Sequence, residues 1–256
     1  MKTIAISGKG GTGKSTIAAL IIRWLKDQEF GPILAVDADP NVNLNDLLGI
    51  RIEETVGAIR EEMKKSAHRL PGGMTKQEFL EYKIHASLRE TRDFDLIAMG
   101  RPEGPGCYCY ANNLLRDILK TLSDNYKCVV IDNEAGMEHL SRRTTQRIDN
   151  LLLVSEPSAR SLQAAARISK LLKELDTRVG KKYLILNKVK EDIPDILAKN
   201  IEKHGLDLFS LIPEDDTLRR MDQSGKPIWK ISEDSSVYQA IHKMMSELMK
   251  KEKNDI

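Results

Sequence analysis

The sequence has little net charge, few cysteines and no long hydrophobic run. Its 40 Lys and Arg residues against 38 Asp and Glu residues give a formal charge of +2, so global electrostatics give no reason to expect nucleic acid or a membrane as a partner. No segment approaches the roughly 20 apolar residues of a membrane-spanning helix, and the apolar run after Lys2 breaks at Gly8, too early for a signal peptide. We therefore expect a cytoplasmic protein, in which three cysteines argue against a disulfide framework and leave metal or redox chemistry.

What is present is a repeated alternation of short apolar runs and amphipathic stretches. The runs predict strands at 3–7, 33–37, 95–99, 128–132, 151–155, 183–187 and 207–212, and helical patterns occur at 15–28, 112–122, 158–175, 193–204 and 235–250. Because the strand hydrophobicity is continuous rather than alternating, both strand faces are expected to be covered. The sequence thus predicts an α/β protein with a single doubly wound, mostly parallel sheet and helices on both faces.

The chain is expected to form a single domain over residues 1–256, since no linker or repeat divides it. The segment at about 53–92 holds two charged helical patterns with no strand between them. We interpret it as a helical insertion that decorates the sheet edge. The last residues, 251–256, are polar and are expected to form a frayed tail.

The strongest chemical signal is GKGGTGKST, which lies between the first predicted strand and the first predicted helix. It has the spacing of a phosphate-binding loop, in which glycines let backbone N–H groups surround the phosphates of ATP. In such a loop Lys14 reaches the β and γ phosphates and the Ser15 hydroxyl binds Mg²⁺. The predicted nucleotide-binding residues are Gly8, Gly10, Gly11, Thr12, Gly13, Lys14, Ser15 and Thr16.

A second lysine, Lys9, directly follows the first glycine of this loop. The stretch KGGTGKS thereby resembles the deviant Walker A motif of the phosphate-loop NTPase family that includes the septum-site and plasmid-partition ATPases and the nitrogenase iron protein. The resemblance implies a dimer with two sandwiched ATP molecules, in which Lys9 reaches the nucleotide of the other subunit. It assigns catalytic roles to Lys9, Lys14 and Asp39, the last of which orients the attacking water and helps to hold the Mg²⁺ shell.

Other strand ends carry further elements of this family. Asp132 closes the run CVVID at the Walker B position, where contact with Mg²⁺ through water is expected. The resemblance further implies that Asn187, after YLIL, hydrogen-bonds the adenine edge, and that Pro213 and Glu214 wrap the base. The role of Asp37, in VDADP, stays open between chemistry and the capping of a turn.

Cys107 and Cys109 lie one residue apart in the Gly/Pro-rich stretch GRPEGPGCYCYANN. In extended backbone, residues two apart point to the same side, so both sulfurs can be presented together. A disulfide between them would close a strained small ring. Two thiolates are half of the four ligands of a tetrahedral zinc site, and a two-fold dimer with this loop on its axis would supply the other half. The alternative is a loop whose cysteines bind nothing, whereas Cys128 is expected in the core.

Taken together, GKGGTGKST, VDADP, the Gly-Cys-Tyr-Cys loop and the run NEAGMEHLSRRT resemble the nickel-insertion accessory ATPases of carbon monoxide dehydrogenase and acetyl-CoA synthase maturation, the CooC/AcsF group. The resemblance implies a homodimer, promoted by ATP or metal, that holds Ni²⁺ or Zn²⁺. It further implies that ATP hydrolysis, slow without the partner, is coupled to nickel delivery to one of these two enzymes. The roles of Asn133 and His139 stay undecided.

Two other functions stay open at this point. The four sulfurs of such a dimer suit a [4Fe-4S] cluster equally well, as in an electron-transfer protein of the nitrogenase iron protein type. A partition or positioning ATPase would act on DNA or a membrane, although the helical pattern at 235–250 shows no clear basic, aromatic-anchored membrane face.

Overall fold

The computed structural model describes residues 2–65, 73–101, 122, 125–134, 148–174, 178–190 and 192–253. Within these ranges eight strands form one sheet: β1 (Lys2–Gly8), β2 (Ile33–Asp37), β3 (Arg89–Glu90), β4 (Asp95–Ala98), β5 (Cys128–Asp132), β6 (Ile148–Ser155), β7 (Val179–Val189) and β8 (Leu208–Pro213). Their order is β3-β4-β2-β5-β1-β6-β7-β8. All neighbours are parallel except β3 and β4, so the predicted fold class is confirmed.

Helices cover both faces of the sheet. They are α1 (Lys14–Asp27), α2 (Leu44–Leu48), α3 (Val56–Lys65), α4 (Lys76–Ser87), α5 (Ala159–Glu174), α6 (Asp195–Lys203), α7 (Asp216–Gln223) and α8 (Ser236–Lys253), with a short 3-10 turn at Ile228–Lys230. Alternate residues of β1 pack into the cores on the two faces of the sheet, because successive side chains of a strand point to opposite faces. Ile4 and Ile6 pack with α1 and α8, whereas Ala5 belongs to the core beneath α5 and α6.

Several elements differ from the predicted ones. Strands β6 and β7 begin three and four residues earlier than their apolar runs, and neither β3 nor α7 was predicted. The predicted helix at 112–122 lies outside the described residues except for Leu122. In the described part of the chain, no helix is long and apolar enough to cross a membrane.

Strand register determines where the polar strand ends meet. Gly8 at the end of β1 is paired with Val154 of β6, and Asp132 at the end of β5 is paired with both Ile6 and Asp37. Because these strands are parallel, their carboxyl ends lie at one edge of the sheet, on which the loop after β1 opens.

Candidate nucleotide-binding site

The loop between β1 and α1 is closed by contacts within the loop and by its glycines. Thr12 Oγ1 donates to the Lys9 carbonyl at 2.8 Å, and Lys14 Nζ lies 3.4 Å from the same oxygen. Gly8 passes so close to β6 that a Cβ there would lie 2.2 Å from the Val154 carbonyl oxygen. Gly13, with φ of +89°, starts α1 in the left-handed region that favours glycine. The motif therefore forms a tight loop at a helix N-terminus, the arrangement that binds phosphate.

This loop borders a cavity of about 460 Å³. The cavity brings together most of the predicted loop residues and Asp39. It adds Asn41, Asn43, Glu134, Lys188 and Asp222, which sequence analysis did not identify as site residues. Lys188 could have been identified because it directly follows Asn187, the predicted adenine-binding residue. Asp222 gave no such signal, because it lies on helix α7, which was not predicted.

The two lysines of the loop have different surroundings. Lys14 is only 8% exposed, and burial lowers the pKa of its ammonium while the charges of Asp132, Asp39 and Glu134 oppose this shift. The side chain of Lys9 is exposed, and only its carbonyl takes part in the loop contacts described above. Lys14 thus faces its own cavity, while Lys9 is accessible from outside.

Asp37 is a fully buried carboxylate that organises the turn after β2. Its Oδ1 accepts the N–H of Asp39 at 3.0 Å, and its Oδ2 accepts the N–H groups of Asn43 and Leu44 at 2.9 Å each. Burial raises the pKa of Asp37 to about 6, although these backbone hydrogen bonds favour the charged form. For Asp37, the structure therefore supports the capping role that the sequence left open.

Asp39 lies at the cavity and is held by its neighbours. Its Oδ1 accepts hydrogen bonds from the backbone N–H of Asn41 at 2.8 Å and from Asn41 Nδ2 at 2.9 Å. Arg101 Nη2 in turn donates to Asn41 Oδ1 at 2.8 Å. The predicted catalytic carboxylate thus has one oxygen fixed by Asn41, which is itself held by Arg101 in the segment after β4.

Asp132 is buried and unlike Asp37 in its contacts. Neither of its carboxylate oxygens has a hydrogen bond of good geometry in the described ranges, although the Ser15 hydroxyl is near enough to favour the charged form. Burial and the charge of Asp37 raise the pKa of Asp132 to about 7, whereas the Ser15 hydroxyl and Lys14 act in the opposite direction.

Oxygen ligands of this kind suit Mg²⁺, which is usually bound by one or two carboxylates together with substrate phosphates. The incompletely compensated carboxylate beside the phosphate loop therefore fits the predicted magnesium site. No group of three or more His, Cys, Asp or Glu side chains is arranged to hold a metal ion among the residues that the structure describes.

Asn133 has a structural role in the described part of the chain. It is buried, and its backbone N–H and Nδ2 both donate to the Ile6 carbonyl, at 3.1 and 2.9 Å. It therefore joins the end of β5 to β1 just before the phosphate loop.

Asn187 and Lys188, at the end of β7, contact the phosphate loop directly. Asn187 Nδ2 donates to the Thr12 carbonyl and Lys188 Nζ to the Gly11 carbonyl, both at 2.8 Å. Lys188 also lines a neighbouring cavity of about 590 Å³ between the ends of β6, β7 and β8, which includes Glu214. Pro213 ends β8, and the Glu214 backbone donates to the Val189 carbonyl at 3.0 Å.

The predicted metal-binding pair Cys107 and Cys109, and His139, lie outside the described residues. Cys128 opens β5 and is fully buried, so its expected place in the core is confirmed.

Comparisons with known proteins agree with this geometry. The family model described as CobQ/CobB/MinD/ParA nucleotide binding domain matches residues 3–228. An ATP-binding protein from Methanocaldococcus jannaschii is 43% identical, covering 97% of this chain and 98% of its own. The carbon monoxide dehydrogenase accessory protein CooC from Rhodospirillum rubrum is 32% identical over 90% of each chain.

Among solved structures, the cell division ATPase MinD from Pyrococcus furiosus has a TM-score of 0.71 at 23% identity, covering 97% of this chain and 98% of its own. At that identity the likeness concerns the fold.

Proposed function

The chain belongs to the CobQ/CobB/MinD/ParA nucleotide-binding family and is an ATPase of that superfamily, and we propose that it is an ATP-dependent metallochaperone. In this proposal a cytoplasmic homodimer holds Ni²⁺ or Zn²⁺ and delivers nickel to carbon monoxide dehydrogenase or acetyl-CoA synthase. The observation that carries the proposal is the 32% identity to a carbon monoxide dehydrogenase accessory protein over 90% of the chain. The paired cysteines, Cys107 and Cys109, supply the chemistry for the cargo.

The nucleotide site is proposed to hold ATP by its phosphates. Loop N–H groups and Lys14 would bind the β and γ phosphates, since Lys14 already faces the cavity. The Ser15 hydroxyl would bind Mg²⁺, Asp132 would contact it through water and Asp39 would help to hold its shell; the metal would neutralise phosphate charge during transfer. Asp39, with one oxygen fixed by Asn41, would orient the attacking water.

Lys9 is proposed to act across the dimer. Its exposed side chain is accessible to a second subunit, and the positive charge would stabilise phosphate charge there. A Lys9→Ala variant should therefore fail to dimerise on addition of ATP and Mg²⁺, as measured by light scattering. A variant that dimerised normally would contradict this role.

The cargo would be bound by four thiolates, two from each subunit, as soft ligands suited to Ni²⁺ or Zn²⁺. Coupling to ATP requires that the nucleotide states differ in metal affinity. A tenfold difference corresponds to about 1.4 kcal/mol.

The decisive experiment is anaerobic metal binding with and without ATP and Mg²⁺, with molecular mass followed in parallel. We expect one Ni²⁺ or Zn²⁺ per dimer, lost in the Cys107→Ala/Cys109→Ala variant. Cys128→Ala is the matched control, because it removes the buried thiol and should leave metal uptake unchanged.

Absence of nickel and zinc uptake by the wild type would contradict the metallochaperone. A visible iron-sulfur absorption in the anaerobically purified protein would instead support an electron-transfer protein.

A further inference from the structure

Two consecutive residues at the end of β7 hold two consecutive carbonyls of the phosphate loop. Asn187 donates to Thr12 and Lys188 donates to Gly11, each at 2.8 Å. These contacts join parts of the chain that are 175 and 177 residues apart. They lie on the loop itself rather than in the cavity next to Glu214.

We propose that Asn187 and Lys188 form a clamp that keeps the phosphate loop in its ligand-binding conformation, so that both are positioning residues for the phosphates of the nucleotide. A trans peptide is planar, and its C=O and N–H point in opposite directions. Fixing the Thr12 carbonyl therefore orients the N–H of Gly13, at the start of α1. The inference rests on the proposed function only in taking nucleotide phosphate as the ligand of this loop.

The Asn187 half of the clamp is buried and closely fitted. Asn187 is 7% exposed, and a Cβ on Gly13 would lie 2.4 Å from its Nδ2. A buried donor that loses its acceptor is costly, so this hydrogen bond is maintained when the loop is otherwise free to move. Gly13 and the Asn187 amide, for which the family resemblance implies an adenine contact, are thus closely packed against each other.

The Lys188 half of the clamp has a strained backbone conformation. Lys188 has φ of +58°, a region that costs energy for residues other than glycine. Its Nζ is shared between the Gly11 carbonyl and Glu156 Oε1, both at 2.8 Å. Glu156, after the end of β6, therefore orients the ammonium toward the loop.

A clamp and an adenine-reading residue predict different ligand dependence. A residue that reads the base affects only ligands that carry a base. A residue that positions the loop affects every ligand bound by its phosphates, including inorganic tripolyphosphate, which has no base or ribose.

The test is calorimetric binding of ATP and of tripolyphosphate, each with Mg²⁺, to the full chain. We expect Asn187→Ala and Lys188→Ala each to weaken both ligands by the same factor, about tenfold for a lost hydrogen bond of this kind. Lys190→Ala is the matched control, because Lys190 pairs with Glu214 at 3.1 Å and not with the loop; its tripolyphosphate affinity should equal that of the wild type.

Loss of ATP affinity with unchanged tripolyphosphate affinity in Asn187→Ala would overturn the clamp and assign Asn187 to the base. Unchanged affinity for both ligands would overturn it as well. Since neither ligand involves the cargo metal, a protein that binds no nickel can still confirm the clamp.

The Lys188→Gly variant distinguishes the effect of the Lys188 ammonium from the effect of the backbone conformation at this position. Glycine accepts the positive φ, so this variant should melt at a temperature at least equal to that of Lys188→Ala. It should nevertheless lose tripolyphosphate affinity to the same extent, because it too lacks the amine. Wild-type affinity in Lys188→Gly would show that the backbone alone positions the loop and would overturn the role of the Lys188 side chain.

Discussion

Replacing Asp132 with asparagine should stabilise the protein while it abolishes the magnesium site. Asp132 and Asp37 are paired in register on neighbouring strands, and both are buried. Asp37 accepts three backbone N–H groups, whereas Asp132 has no hydrogen bond of good geometry in the described residues. The charge of Asp132 is therefore the less compensated of the two, since only the Ser15 hydroxyl and Lys14 favour it.

The size of the effect follows from the pKa of this carboxyl. Burial and Asp37 raise this pKa from 3.8 to about 7, and a tenfold change in proton affinity corresponds to about 1.36 kcal/mol. Ionised Asp132 thus costs about 4 kcal/mol of folding free energy. This cost already includes the attraction to Lys14. Because the amide of Asp132→Asn is itself a buried polar group, part of the gain is offset, and we expect a net gain of about 2 to 4 kcal/mol above neutral pH.

The pH dependence has a definite sign. A carboxyl with a raised folded-state pKa favours the protonated folded form, so the wild type gains stability as the pH falls from about 7 toward 3.8. The advantage of Asp132→Asn should therefore be large at about pH 8 and shrink toward about pH 5.

The assay is urea unfolding of both proteins without nucleotide, in the presence of a chelator, with binding of ATP and Mg²⁺ measured separately. A variant no more stable than the wild type at about pH 8 would refute this electrostatic reasoning, as would a stability difference that does not change with pH.

Three further substitutions test other contacts. Gly8→Ala should reduce both thermal stability and calorimetric ATP affinity, because the new Cβ would lie 2.2 Å from the Val154 carbonyl oxygen. Asn133→Asp should lower the free energy of unfolding by about 2 to 4 kcal/mol, measured by urea denaturation, since it replaces the buried donor to Ile6 with a charge; equal stability would contradict the structural role. Asp215→Ala should cost about 1 kcal/mol by the same measurement, because Asp215 caps α7 through the Leu218 N–H at 2.9 Å. Burial raises the pKa of Asp215, but the hydrogen bonds that it accepts, among them the one from the Leu218 N–H, lower it further, so that the net shift is downward. The stabilisation by ionised Asp215 should therefore be lost as the pH falls below the ordinary range of a carboxyl.

The sequence predicted those elements whose hydrophobicity is strong and local. The runs of β1, β2 and β5 are apolar along most of their length and were located within one residue or two. The first four residues of β7 include Lys181 and Lys182, which interrupt the apolar pattern, so the start of this strand was missed. Helix α7 was missed because it has only eight residues and Leu218 and Met221 are its only apolar side chains, which is shorter than the roughly 11 to 18 residues over which a helical period can be read.

The candidate site likewise has a part that the sequence predicts and a part that it does not. The phosphate loop was predictable because its residues are contiguous and their spacing is specific. The contact of Asn187 with Thr12 depends on the end of β7 meeting the phosphate loop at the sheet edge, across 175 residues of chain. Motif spacing identifies a residue type at a strand end, but it does not determine which atom of a distant loop that residue contacts.

The pair Asp37 and Asp132 shows what register adds to a motif. Both acids end apolar strands, so sequence alone gave them similar surroundings. In the folded chain they lie side by side, but only Asp37 is satisfied by backbone N–H groups. Asp132 is compensated only in part, by Ser15 and Lys14 at the phosphate loop. A cation that binds Asp132 offsets an existing cost of the folded chain, so cation affinity and stability without ligand are linked. Any change that satisfies Asp132 by other means should therefore strengthen the fold and weaken magnesium binding together.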